Sequence, residues 1–131
     1  MKVLKFGGTS VADSQSLSHV VEIIKNSKKE QQIVVVSALG GITNILVEMA
    51  EEASRGKSEF QDTIKVIEKR HLTLILHFIP VTNQSEIISF LKSQLNSLEE
   101  ILESIYNLRE LTPYSIAKIS SFGEILSSKI I

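Results

Sequence analysis

Leu17, Val20, Val21 and Ile24 stand at i, i+3, i+4 and i+7, the spacing that places one apolar stripe along an α-helix. A helix is predicted over Ser14 to Lys29, with Asp13 or Ser14 as its N-cap. Two short apolar runs flank it, Lys2 to Phe6 and Ile33 to Ser37. The second holds Ile33-Val34-Val35-Val36 without a polar break, the pattern of a strand buried on both faces. Each run ends in a glycine-containing turn. Strand, turn, helix and strand predict a βαβ unit with parallel strands and a right-handed crossover.

After Ser37 the periodicity is helical throughout. Thr43 or Asn44 is suited to cap a helix running to about Arg55, where Gly56 supplies the stop. A second helix is expected from Glu59 to Phe78, ended by Pro80. Ile88, Leu91, Leu95, Leu98, Leu102 and Ile105 then step by alternating threes and fours, a seam that serves either an intramolecular core or a coiled-coil partner. The last helix is expected to begin at Thr112-Pro113, with Pro113 in the first turn, and to pass through Ile116, Ile119, Phe122 and Leu126. The fold class is therefore α/β, a parallel βαβ start followed by a mostly helical segment. Two strands cannot cover so many apolar helices, and the chain stops on the apolar pair Ile130-Ile131. Residues 1–131 are expected to be the N-terminal part of a longer domain.

Composition narrows the class. The 131 residues carry 14 Lys+Arg against 15 Asp+Glu, a net charge of −1, with 43% hydrophobic residues, as in one folded domain rather than a disordered tail. A pI near 6.3 leaves no basic footprint for nucleic acid. With no cysteine, disulfide scaffolds, thiolate metal sites and Cys nucleophiles are excluded. The longest apolar stretch, Leu72 to Val81, is broken by Thr73, His77 and Pro80, far short of the roughly 20 residues of a membrane span. A soluble, cytoplasmic chain is expected, without nucleic-acid or membrane partners.

Three segments could carry chemistry. Lys5-Phe6-Gly7-Gly8-Thr9-Ser10 sets a cation at a strand end before two glycines, whose backbone N–H groups can approach an anion closely, with a helix start behind them. Equally, the glycines could serve a turn that needs φ > 0. Ser37-Ala38-Leu39-Gly40-Gly41-Ile42-Thr43-Asn44 repeats the arrangement after the second strand. Ligands of open α/β sheets sit outside the carboxyl ends of parallel strands, so Ser37 and Thr43 could bind a small polar substrate there, or Thr43 could merely cap a helix. In Ser121-Phe122-Gly123-Glu124-Ile125-Leu126-Ser127-Ser128, Glu124 is either a buried carboxylate awaiting a cation or a solvated surface residue. His71 shares a helix face with Ile64, Ile67, Leu74 and Ile75, as a core histidine would; no histidine belongs to a metal-ligand motif. Asp13 and Asp62 are the two aspartates, and neither lies in a convincing site.

Taken together and in order, KFGGTSVAD (Lys5 to Asp13), VVVSALGGITN (Val34 to Asn44) and SFGEILSS (Ser121 to Ser128) resemble the aspartokinases of the amino-acid kinase family. The resemblance implies a three-layer αβα domain, of which residues 1–131 would be the N-terminal, amino-acid-binding portion. It also implies transfer of the ATP γ-phosphate to the β-carboxylate of L-aspartate, with ATP and Mg²⁺ as cofactors, in a homo-oligomeric parent. By the same resemblance Lys5 neutralises the phosphates and the transition state, and Gly7, Gly8, Thr9 and Ser10 form the loop beneath the γ-phosphate. Ser37 and Thr43 would hydrogen-bond the bound aspartate, and Glu124 would receive its α-ammonium. No metal ligand is assigned. The family's Arg-Gly-Gly-Ser-Asp segment, its adenine-binding half and its ACT domains are absent from these residues, so the isolated segment is expected to be inactive. The alternatives are a relative acting on glutamate or carbamate, and a non-enzymatic helical module joined through the Ile88 to Ile105 seam.

Overall fold

The computed structural model describes residues 1–27 and 29–131. Strand β1 (Lys2–Phe6) leads through a 3₁₀ turn (Gly8–Val11) into helix α1 (Ser14–Asn26), and strand β2 (Gln32–Val36) returns parallel to β1. The pairing runs from Lys2 opposite Gln32 to Phe6 opposite Val36. Helices α2 (Ile42–Ser54), α3 (Phe60–Phe78), α4 (Val81–Leu108) and α5 (Pro113–Ile130) follow. The predicted βαβ start and helical remainder are thus observed. Helix α1 ends at Asn26, short of the expected Lys29; Lys28 within that span lies outside the described residues.

Apolar periodicity explains which face of each helix is buried. In α1, Leu17 and Val20 are buried while Val21 and Ile24 pack on the core edge. Helix α2 buries Ile42, Leu46, Met49, Ala50 and Ala53 and packs on α3, α4 and α5. Helix α3 buries Phe60, Ile64, Ile67, His71, Leu74 and Ile75, and Ile79-Pro80 turns the chain straight into α4, with Gln84 Nε2 donating to the Ile79 carbonyl at 2.9 Å. Along α4 the seam residues Leu91, Leu95, Leu98, Leu102 and Ile105 are buried inside the same chain. That occupies the surface a helical interaction module would have used. Thr112 caps α5, its side chain accepting from the Ser115 N–H at 3.1 Å, with Pro113 in the first turn.

Two expectations are corrected. The β2 strand is not buried on both faces: Leu4, Phe6, Val34 and Val36 turn toward the core, whereas Val3, Ile33 and Val35 are 60%, 48% and 43% exposed. Parallel pairing in register puts Val3 beside Ile33 and Lys5 beside Val35 on that open face. Neither Thr43 nor Asn44 caps α2. Gly41 occupies the N-cap at φ +82° with no side-chain cap bond, a left-handed conformation that glycine adopts without a Cβ penalty, and the Ile42 N–H donates to the Leu39 carbonyl at 3.0 Å.

Candidate functional site

Both glycine segments leave the sheet at one level. Phe6 pairs with Val36, and the Ser37 N–H donates to the Phe6 carbonyl at 3.1 Å, so Gly7 and Ser37 begin their loops side by side at the carboxyl ends of parallel strands. The loops then touch. A Cβ placed on Gly40 would stand 2.8 Å from the Ala12 Cβ and 3.3 Å from the Gly8 carbonyl oxygen, and one on Gly8 would stand 3.6 Å from the Ala38 carbonyl oxygen. Glycine at position 40 is what lets the two segments meet.

Within the first loop the backbone excludes one of the two roles open to its glycines. Gly7 is extended, at φ −78° and ψ 173°, and positive φ occurs among glycines only at Gly41 and Gly56 of the described residues. The turn therefore needs no left-handed residue. A Cβ on Gly7 would meet nothing within 4 Å, so its bare backbone faces open space. Thr9 is exposed and Ser10 half-buried in the 3₁₀ turn, and the Ser10 N–H closes on the Gly7 carbonyl at 3.0 Å. The 3₁₀ turn stands between the glycines and α1, whose start is where the sequence predicts it. That start lies at Ser14, where Asp13 already caps it: Asp13 Oδ1 accepts from the Ser16 N–H at 2.7 Å. That backbone bond, joined by the Ser16 hydroxyl, holds the Asp13 carboxyl below the usual aspartate range. Asp13 is engaged as a cap.

In the second loop, Ser37 is half-buried and Thr43 is exposed in the first turn of α2. Since Gly41 provides the cap, the Thr43 hydroxyl is not needed for the helix start. The third segment reaches the same end of the sheet through α5. A Cβ on Gly123 would lie 2.6 Å from the Ala38 Cβ, and Ser127 Oγ donates to the Ser37 carbonyl at 2.6 Å. Glu124, next to Gly123, is exposed, so of its two readings the solvated one holds: the helix turns its small face to the loop and leaves position 124 at the rim. Lys5 is likewise exposed, at the penultimate position of β1. The fold therefore gathers the three segments singled out in the sequence at one end of the sheet.

Two residues of this arrangement take roles that their sequence context did not suggest. Ser127 is fully buried and ties α5 to the second loop. Arg70 of α3 donates from Nη1 to the Gly40 carbonyl at 2.8 Å and from Nη2 to the Ala12 carbonyl at 3.1 Å. A faint signal for Arg70 exists in the sequence: its i±3 and i±4 positions are Val66, Ile67, Thr73 and Leu74, so no acidic neighbour on the helix claims its charge. Among the described residues no group of three or more His, Asp or Glu side chains could hold a metal ion, and no helix is long and apolar enough to cross a membrane.

Comparison with known proteins agrees with this geometry. The bifunctional aspartokinase/homoserine dehydrogenase of Buchnera aphidicola is 35% identical over 131 residues, covering 97% of this chain and 16% of that protein. Chloroplastic aspartokinase 1 of Arabidopsis thaliana is 34% identical, over 98% of this chain and 22% of the relative. The chain thus spans about a fifth of the length of these relatives. Among solved structures, E. coli aspartokinase III in complex with aspartate and ADP superimposes with a TM-score of 0.83 at 26% identity, over 99% of this chain and 27% of that one. Its T-state complex with lysine and aspartate gives 0.81 at 25% identity, over 99% and 27%. The amino acid kinase family matches residues 1–131 in full, and with the parallel strand pair, the two touching glycine loops and these relatives in agreement, the chain belongs to that family.

Proposed function

We propose that this chain supplies the phosphate-facing and amino-acid-facing side of an aspartokinase, which transfers the ATP γ-phosphate to the β-carboxylate of L-aspartate. The observation that carries the reading is the meeting of the two loops at the carboxyl ends of parallel strands, one with an open backbone at Gly7 and the other with hydroxyls at Ser37 and Thr43. The names of the relatives support the choice of substrate.

In this reading Lys5 and the backbone of Gly7, Gly8, Thr9 and Ser10 hold the phosphate chain. Their charge and N–H dipoles answer the negative charge that spreads over the transferring group, which needs electrostatic stabilisation and alignment more than covalent help. Ser37 and Thr43 hydrogen-bond the amino acid, and Glu124 receives its α-ammonium, where the rim position leaves its carboxylate free to pair with a cation. The substrate's β-carboxylate oxygen forms the new bond to phosphorus as the bond to the ADP oxygen breaks, so the protein needs no nucleophile of its own. Its task is to hold donor and acceptor in line. Mg²⁺ would neutralise phosphate charge when bound; among the described residues no group of three or more His, Asp or Glu could hold it.

The test is ATP-dependent hydroxamate formation by the protein at its natural length, with aspartate and glutamate offered separately. Turnover is expected on aspartate, and Lys5→Ala should lower kcat by about 100-fold, the scale seen when a transition-state donor is removed. Turnover on glutamate without aspartate, or full activity in Lys5→Ala, would overturn the assignment.

A further inference from the structure

Resting on that reading, we infer that Arg70 is a positioning residue that sets the distance between the phosphate-holding loop and the substrate-holding loop. Its guanidinium bonds both at once. Nη1 donates to Gly40 in the second loop at 2.8 Å, and Nη2 donates to Ala12 at the end of the first at 3.1 Å. The two acceptors belong to the segments that already touch, since a Cβ on Gly40 would stand 2.8 Å from that of Ala12. The loops are thus pressed together at one point and clasped beside it.

The chemistry suits arginine. Two carbonyl oxygens are bonded by two different nitrogens of one rigid plane, and charge-assisted bonds of this kind are about twice as strong as neutral ones. A lysine ammonium is a single point without that fork. The platform is rigid as well: Arg70 stands on α3 between Ile67 and Leu74, both buried in the core. Its head borders a surface cavity of about 230 Å³ that also takes in Ala12, Asp13 and Leu39. Water can therefore reach the two carbonyls if the guanidinium is removed, so the fold should survive the substitution.

Arg70 touches neither the open backbone of Gly7 nor the hydroxyls of Ser37 and Thr43, and this defines the expected kinetics. Each loop keeps its own ligand contacts when Arg70 is lost, so the apparent affinities should change little. What suffers is alignment of the attacking carboxylate with phosphorus, which is felt in the reacting geometry.

The experiment compares wild type, Arg70→Met and Arg70→Lys in the protein at its natural length. Steady-state kinetics are measured for ATP and aspartate, and amide hydrogen exchange is followed in parallel. Arg70→Met is expected to lower kcat at least tenfold while each KM stays within about threefold, since a displacement of about 1 Å costs up to 100-fold. Amides of residues 7–10 and 37–41 should exchange faster in both variants, with those of α4 unchanged. A kcat within twofold of wild type, an equal loss in kcat and rise in KM, or unaltered exchange in the two loops would each overturn the inference. If wild type fails to act on aspartate, the functional reading falls, and the exchange comparison still decides whether Arg70 holds the loops.

Discussion

His71 shows how much one buried atom can determine. Its Nδ1 lies 2.7 Å from the Ile67 carbonyl, which can only accept, so Nδ1 carries the proton and Nε2 is left as a bare, buried nitrogen without a partner. Protonating Nε2 would put a charge and an unmatched donor into the core. Burial accordingly pushes the imidazole below the usual histidine range; the Ile67 bond opposes this and the charge of neighbouring Arg70 adds to it. The unfolded chain binds its proton near the ordinary value of about 6.5, while the folded chain resists it to lower pH. Stability is therefore full above about pH 6.5 and falls as the pH drops toward the lower folded value. Thermal melting between pH 7 and 5 should show this fall, and His71→Leu should flatten it; an unchanged slope would assign the fall to other groups. The sequence placed His71 on an apolar helix face. It could not reveal which nitrogen is satisfied, because that depends on a single carbonyl one turn away.

At the level of elements, the alternating threes and fours along α4 predict a buried seam, and the burial of Leu91, Leu95, Leu98, Leu102 and Ile105 bears this out. Periodicity says that a face is covered without saying by what, although an intramolecular core is the commoner cover. The cover is α2, α3 and α5 of the same chain. Leu98 is fully buried, and Leu98→Ala should lower the unfolding free energy by about 2–5 kcal/mol through lost transfer energy and the cavity left behind. Equilibrium denaturation by urea measures this; a loss under 1 kcal/mol would mean that the helices close over the gap. The start of α2 was less legible. Thr43 and Asn44 have side chains that suit an N-cap, but the left-handed Gly41 completes the turn with backbone alone.

For the whole molecule, the decisive contacts join segments far apart in sequence. Gly123 sits mid-helix, where alanine would ordinarily be favoured by about 1 kcal/mol. Here an added Cβ would stand 2.6 Å from the Ala38 Cβ, and Ala38 has no flexible side chain to move aside. Overpacking of this kind costs about 1–3 kcal/mol, so it outweighs the gain in helix propensity. Gly123→Ala should therefore be destabilising, and Gly123→Val more so. On the proposed function both should also raise the KM for aspartate, as α5 is pushed off the second loop and the Ser127 bond to Ser37 is lost. A Gly123→Ala protein that melts at or above the wild-type temperature would mean that α5 and the loop are not in contact.

The sequence by itself determined the elements and the three segments worth watching, because both depend on local order: the 3.6-residue period, the glycine pairs, the Thr112-Pro113 start. It did not determine that β2 keeps one face open, that Glu124 stands at a rim, or that Arg70 takes part at all. Those are tertiary outcomes. Arg70 reaches acceptors 30 and 58 residues away, and Ser127 one 90 residues away, and such partners are chosen when apolar faces pack and bring backbone carbonyls within reach. Periodicity tells each helix which side to bury; only the packed chain brings the two glycine loops together.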